Sequence, residues 1–155
     1  MMKKFLLLIV VVLFVLGCKS QKMEESGIIG NVFWIEGNQM PMMLDENEPG
    51  EMGREGKNPI PRTIYIHALT PISKTQQGED GLFSEVGTAL LKEVQTDMEG
   101  KFKVGLPPGM YSLFTLEEKG LFANVFDRDN HINPVEVKKG KWAELDIVIN
   151  YKAVY

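Results

Sequence analysis

The chain is poor in the residues that chemistry usually requires. Its 155 residues include one cysteine and two histidines. A single cysteine excludes an internal disulfide and a Cys-rich zinc site, so the core must hold by packing. There is no basic excess, because 17 Lys and Arg stand against 21 Asp and Glu for a net charge of −4. Such a chain has nothing to coat a phosphate backbone, and nucleic acid is not expected as a partner. It also lacks HExxH, CxxC and glycine-rich phosphate-loop patterns, and no Ser, His and Asp grouping is recognisable. Neither an enzyme nor a cofactor-dependent protein is therefore expected, and no cofactor is assigned. Hydrophobic residues at 44% and charged residues at 25% nevertheless suit a globular domain rather than a disordered chain.

What is present begins at the N-terminus. Lys3 and Lys4 precede an unbroken apolar run from Phe5 to Leu16. The run falls short of the about 20 apolar residues that span a bilayer, and it suits the apolar region of a secretory leader. It has no polar face, which argues against a buried core helix. The lone cysteine follows at once, in Val15-Leu16-Gly17-Cys18. This sequence resembles the lipobox of bacterial lipoproteins. The resemblance implies that Cys18 is lipidated through its thiol and that the leader is cut between Gly17 and Cys18, where a small residue admits the peptidase. Leu16 departs from the small residue common at that place. The resemblance also implies a chain divided into a signal peptide (1–17, a signal helix), a lipidated tether (18–26) and one domain (27–155). Lys19 stands where inner-membrane lipoproteins often carry Asp, so the cell envelope, and within it the outer membrane, is the expected location. The acids Glu24 and Glu25 in the tether are read as solvated.

Beyond residue 26 the dominant signal is alternation with a period of two, the mark of half-buried strands. Phe102, Val104 and Leu106 alternate with Lys101, Lys103 and Gly105. Ile64, Ile66 and Ala68 alternate with Thr63, Tyr65 and His67, which sends His67 toward solvent. The segments 27–37, 90–96, 109–117, 133–140 and 143–150 read as further strands, and 121–126 as a weaker one. Seven to eight short strands separated by turn residues predict an all-β antiparallel sandwich or barrel. Gly100 in Thr96-Asp97-Met98-Glu99-Gly100 suits a positive φ at a hairpin, and Pro108-Gly109 suits a type II turn.

The stretch 96–113, TDMEGKFKVGLPPGMYSL, resembles the signature of carboxypeptidase regulatory-like domains. The matching positions are Thr96, Asp97, Gly100, Phe102, Val104, Leu106, Pro107, Pro108, Gly109, Tyr111 and Leu113. Gly30, Val32, Gly37 and Pro41 resemble the family's first strand. The resemblance implies a Greek-key β-sandwich of transthyretin-like type, with immunoglobulin-like and fibronectin-like sandwiches as structural competitors. One enzyme branch of that superfamily ends in Tyr-Arg-Gly-Ser. This chain ends in Tyr151-Lys152-Ala153-Val154-Tyr155, so that activity is not carried over.

Two segments are expected to be loops, and the first of them departs from the family pattern. One is the polar insertion 42–61, and the other is 71–87. Because successive strands reverse, the insertion should share one end of the domain with the turns at 97–100 and 117–120. The loops at 70–87 and 127–133 should share the other end, where the tether enters and the membrane lies. The far-end loops are the ones expected to meet a partner.

Few residues suggest binding chemistry. Asp127, Asp129 and Asn130 offer oxygen ligands for Ca²⁺, but an ordinary Asp/Asn turn explains them better. His131 lies in the same polar turn. Met40, Met42, Met43 and Met52 are thioethers of the kind that hold Cu(I), although no His or Cys joins them. Trp34 and Trp142 are candidates for stacking on a sugar, and core packing is the commoner role. The expectation is a non-catalytic binding or scaffolding lipoprotein. It would be held to the membrane by its lipid anchor and carry a protein partner in the envelope, with carbohydrate binding and copper binding as alternatives.

Overall fold

A computed structural model describes residues 26–39 and 56–155. The leader with Gly17 and Cys18, most of the tether, and residues 40–55, which include most of the insertion, lie outside the described residues. No described helix is long and apolar enough to cross a membrane.

Twelve strands make up the described fold. They are β1 (Gly27–Asn38), β2 (Asn58–Pro59), β3 (Thr63–Ala68), β4 (Thr75–Gln77), β5 (Phe83–Val86) and β6 (Leu90–Gln95), followed by β7 (Lys101–Gly105), β8 (Gly109–Glu117), β9 (Gly120–Phe122), β10 (Pro134–Val137), β11 (Trp142–Glu144) and β12 (Ile147–Val154). They form two sheets, as the alternation predicts. In the smaller sheet β1 is central, with β7 and β2 along one edge and β11 and β12 along the other. The larger sheet runs β4-β5-β9-β8-β3-β6, with β10 also paired to β8.

Every second side chain of the main strands points between the sheets. Ile28 and Val32 of β1, and Ile147 and Ile149 of β12, meet Ile64 and Ile66 of β3 and Tyr111 and Leu113 of β8. Phe102, Val104, Val135 and Val137 close the sides of this core. Each such side chain contributes about 1.5–3 kcal/mol by leaving water.

The pairing is not antiparallel throughout. β1 runs parallel to both β11 and β12. Parallel neighbours need a long crossover, and here everything between the first and the last strands supplies it. The segment expected as one strand at 143–150 is broken at Leu145 and Asp146. The break is held by Leu145 N–H on the Ile29 carbonyl (3.0 Å) and by Asp146 Oδ1, which accepts from Asn31 N (3.0 Å) and Nδ2 (2.9 Å). Gly30 makes this possible, because a Cβ there would collide with the Leu145 carbonyl.

Strands are more numerous than expected, chiefly because 71–87 is not simply a loop. After a 3₁₀ turn (Ile72–Lys74) it forms β4 and β5, and β9 joins them to β8. The reason is apolar. Leu82 and Phe83 are buried, and Phe83 packs with Phe114, Ala123 and Ile132 in a second cluster on the outer face of the larger sheet. That cluster also buries His67, which is 5% exposed rather than facing solvent. Both faces of β3 are thus covered, so alternation alone could not tell inside from outside.

The hairpin turn behaves as its residues predict. Gly100 has φ +73°, and Asp97 Oδ1 accepts from Glu99 N (3.0 Å) and Lys101 N (2.8 Å). The type II turn at Pro108-Gly109 is not formed. Gly109 has no left-handed φ and instead opens β8. The Tyr111 hydroxyl reaches back to the Pro107 carbonyl at 2.7 Å, and it would lie 3.2 Å from a Cβ at position 109.

Ends sort as strand reversal predicts except for 71–87, whose β4–β5 tip reaches the far end, with Leu82 and Phe83 against Gly120 and Asp80 beside Glu118 and Lys119. At the near end Pro71 bridges His131, and Ile132 N–H donates to the Thr70 carbonyl (2.8 Å). At the far end Gly100 approaches Val32 and Ile60, beside Arg62, Thr96 and Glu117. A Cβ on Gly100 would lie 2.5 Å from the Val32 carbonyl oxygen, in addition to the left-handed strain. Gly100→Ala should therefore lower stability by about 2 kcal/mol or more. Gly56→Ala, with nothing within 4 Å, should change it by less than about 0.5 kcal/mol. Urea midpoints of the two variants check this.

Candidate functional site

The densest group of polar and aromatic side chains closes the far end of the core. It begins with register. Tyr111, Leu113 and Thr115 point inward along β8, and Glu117 continues that parity into the interior with its side chain only 2% exposed. A carboxylate there needs partners, because an unpaired buried charge is strongly unfavourable. Arg62, just before β3, supplies one through Nε at 3.1 and 3.3 Å from the two carboxylate oxygens. Tyr151 of β12 supplies the other through its hydroxyl at 3.2 Å. The Tyr151 bond thus ties the larger sheet to the smaller.

Arg62 is held in turn. Its Nη1 donates to the Pro61 carbonyl (3.0 Å), and its backbone exchanges bonds with Thr96, N–H to Oγ1 at 2.8 Å and carbonyl from Thr96 N at 3.0 Å. The guanidinium lies 5.6 Å from the centre of the Trp34 ring, and Lys152 Nζ lies 5.5 Å from it. Trp34 meets Tyr151 edge-on at 5.4 Å. Burial, with the Glu117 carboxylate beside it, pushes the Tyr151 phenol above its ordinary value. Arg62, Thr96, Met98, Leu116 and Glu118 line an open groove of about 500 Å³ beside the pair. The Glu117 carboxylate is committed to Arg62 and Tyr151. The arrangement serves as a clasp and leaves this acid no free role as a base.

The near end holds both histidines. His67 Nδ1 lies 3.0 Å from the Thr88 carbonyl, so Nδ1 carries the proton and donates. Its Nε2 is buried without a partner among the described residues, and the ring meets Phe114 edge-on at 5.5 Å. Burial lowers the His67 pKa below its ordinary 6.5, against the opposing pull of the Thr88 bond.

At the surface, Asp127 organises its own turn. Its Oδ1 accepts from Asp129 N (2.9 Å) and His131 N (2.8 Å), while Oδ2 meets His131 Nδ1 at 2.9 Å. The bond from the His131 backbone N–H is the largest cause holding the Asp127 carboxyl below its ordinary range. Asp127, Asp129 and His131 come within 4.8 Å of one another, and Asn130 takes φ +61° between them. The Asp127 carboxylate accepts three bonds from its own turn, so the group is accounted for as an Asx turn.

Other expected site residues fall apart. Cys18, Gly17 and the methionines Met40, Met42, Met43 and Met52 lie outside the described residues. Trp34 is packed into the far-end clasp, whereas Trp142 lies on the opposite, near end of β1, with Lys103 Nζ 4.4 Å from its ring centre. The two indoles do not form one stacking platform. Arg62, Glu117 and Tyr151 were not legible as a group. The one local signal is Glu117 at an inward register, where a buried carboxylate requires a cation. Comparison with protein-family models, with curated proteins and with solved structures gave no match.

Removing one member of the clasp exposes the cost of the other. Arg62→Ala should lower stability by about 2–3 kcal/mol, less than the about 3–5 of a fully buried pair, because Arg62 is 24% open to water. Adding Glu117→Gln to it should restore part of that loss in urea unfolding. For His67 the unfolded chain takes up its proton near 6.5, and the folded chain resists until a lower pH. Its stabilising contribution is therefore full above 6.5 and falls as pH drops from there toward the lowered folded value. A His67→Gln variant should lack this portion of the pH dependence when urea midpoints are measured from pH 7.5 downward.

Proposed function

We propose that this chain is a lipid-anchored protein of the bacterial envelope whose domain is a transthyretin-like β-sandwich acting as a non-catalytic binding or scaffolding module. The observation that carries the reading is the run Phe5 to Leu16 ending in Val15-Leu16-Gly17-Cys18. A leader of that form delivers a thiol to the membrane surface, where acylation holds it. More than one acyl chain anchors stably, whereas one alone binds marginally. The outer membrane is the proposed location and Cys18 the proposed acylation site.

The sandwich type rests on the motif at 96–113, and the local bonding supports that choice. Asp97 and Gly100 build the hairpin, and Tyr111 caps the Pro107 carbonyl across Gly109. Those motif residues serve the backbone rather than a substrate. Binding without catalysis is favoured by the same logic at both ends of the domain. The Glu117 carboxylate and the Asp127 carboxylate are each engaged in closing structure. The far-end loops, away from the tether, are the proposed surface for a protein partner.

Growth of a bacterial host expressing the full-length chain with radiolabelled palmitate tests the anchor. The expected result is label on the wild-type chain, none on Cys18→Ala, and a mature mass that begins at residue 18. An unlabelled wild-type chain recovered from the soluble fraction would refute it.

A further inference from the structure

The chain is acidic overall, yet the surface around the start of β1 carries the opposite sign. Gly27 N–H donates to the Lys141 carbonyl at 3.3 Å, and Gly27 is in register with both Trp142 and Gly105. This places the β10–β11 turn, Lys138-Lys139-Gly140-Lys141, directly beside the point where the preceding chain joins the fold. The turn is closed by Lys141 N–H on the Lys138 carbonyl at 3.1 Å, and all three of its lysines are exposed. Exposed Lys103 of β7 adds a fourth charge, with its ammonium 4.4 Å from the Trp142 ring centre. Among the described residues the acids nearby are Glu136, paired to Lys138 at 3.2 Å, and Glu144, and in sequence Glu24 and Glu25 stand just before Ser26. Lys139 and Lys141 form no ion pair among the described residues.

Trp142 completes the arrangement. It is half-buried, and its ring edge would lie 2.7 Å from a Cβ at Gly27, so the indole rests against the first residue of β1. An indole with an apolar body and a polar N–H suits the boundary between headgroups and water. Lysines beside it suit the negative potential of an anionic leaflet. The segment that joins at this point contains the apolar run and Cys18, within a short tether of Ser26.

We propose that the near-end surface formed by Lys103, the Lys138–Lys141 turn and Trp142 is a docking face for an anionic phospholipid membrane, and orients the domain on it. The proposal rests on the anchored reading above, because the anchor brings this face to the bilayer. The lysines then hold the domain upright, with Arg62, Glu117 and the far-end groove directed away from the lipid.

The test uses the full-length chain isolated from membranes and reconstituted into vesicles containing brominated lipid, either anionic phosphatidylglycerol or neutral phosphatidylcholine. Trp142 emission is read as the component absent from a Trp142→Phe chain. The expected result is quenching in anionic vesicles and little in neutral ones. It should weaken toward about 1 M salt, where screening shortens to about 3 Å. In Lys139→Glu/Lys141→Glu the contact should weaken by roughly fivefold or more for each lysine replaced. The salt titration of the unmodified chain keeps the test valid if a variant folds poorly. Equal quenching in both lipids, or none in either, would overturn the proposal. Crosslinking of Lys139 or Lys141 to an acidic protein without quenching would overturn it in favour of a protein partner. Palmitate labelling of Cys18 separates the two readings: label without quenching refutes the docking face alone, and quenching without label refutes the anchor alone.

Discussion

The fold depends on one strand having partners on both edges along nearly its whole length. β1 pairs with β7 and then β2 on one side, and with β11 and then β12 on the other. Its inward residues Ile28 and Val32 are fully buried beneath the larger sheet. Because β11 and β12 come last in the chain and run parallel to β1, completing the central strand requires contacts between the two ends of the domain. The tight approach of Leu145 to Gly30 is where that closure meets its steric limit, and the strand break at Leu145-Asp146 accommodates it.

The two ends of the sandwich are finished in different ways. At the far end a buried ion pair and a phenol join the sheets, with Trp34 packed beneath the guanidinium. Hydrophobic residues of similar volume could fill such a site, often with no loss of stability. The pair's contribution is therefore better sought in register: it fixes Arg62, Glu117 and Tyr151 at one place on three strands. On the outer face of the larger sheet the cover is apolar, with Phe83, Phe114 and Ile132 packed around His67. At the near end the surface changes sign, and the lysines of the β10–β11 turn lie next to the start of β1. A domain tethered at one end has a reason to differ between its ends, since only one of them meets the bilayer.

Legibility followed exposure. Strands with one wet face, such as β7, wrote their burial in plain alternation, and Phe102 and Val104 are buried while Lys101 and Lys103 are exposed. Alternation in β3 is ambiguous because its second face is covered by Phe83 of β5 and by the loop ending at Ile132. Its His67 therefore sits at a nominally outer register yet lies in the interior. The turn at Asp97–Gly100 was readable because its geometry is local, set by an Asx carboxylate and a residue free to take positive φ. Pro108-Gly109 was misread because the long-range register of β8 against β10, with Gly109 opposite Val137, draws the glycine into a strand. The clasp at Glu117 had a single local clue, its inward parity, and its partners lie 55 and 34 residues away.

By itself the sequence determined the all-β class, the places of most strands, the hairpin at Gly100 and the inward set of aliphatic side chains. These follow from a side-chain period of two and from backbone preferences within a few residues. Only the tertiary structure decided that β1 has parallel neighbours, that His67 is enclosed, that Glu117 finds Arg62 and Tyr151, and that four lysines gather beside the first residue of the sandwich. Those outcomes depend on which strands become neighbours, and pairing between distant strands is set by the closing of the whole core rather than by any local stretch of chain.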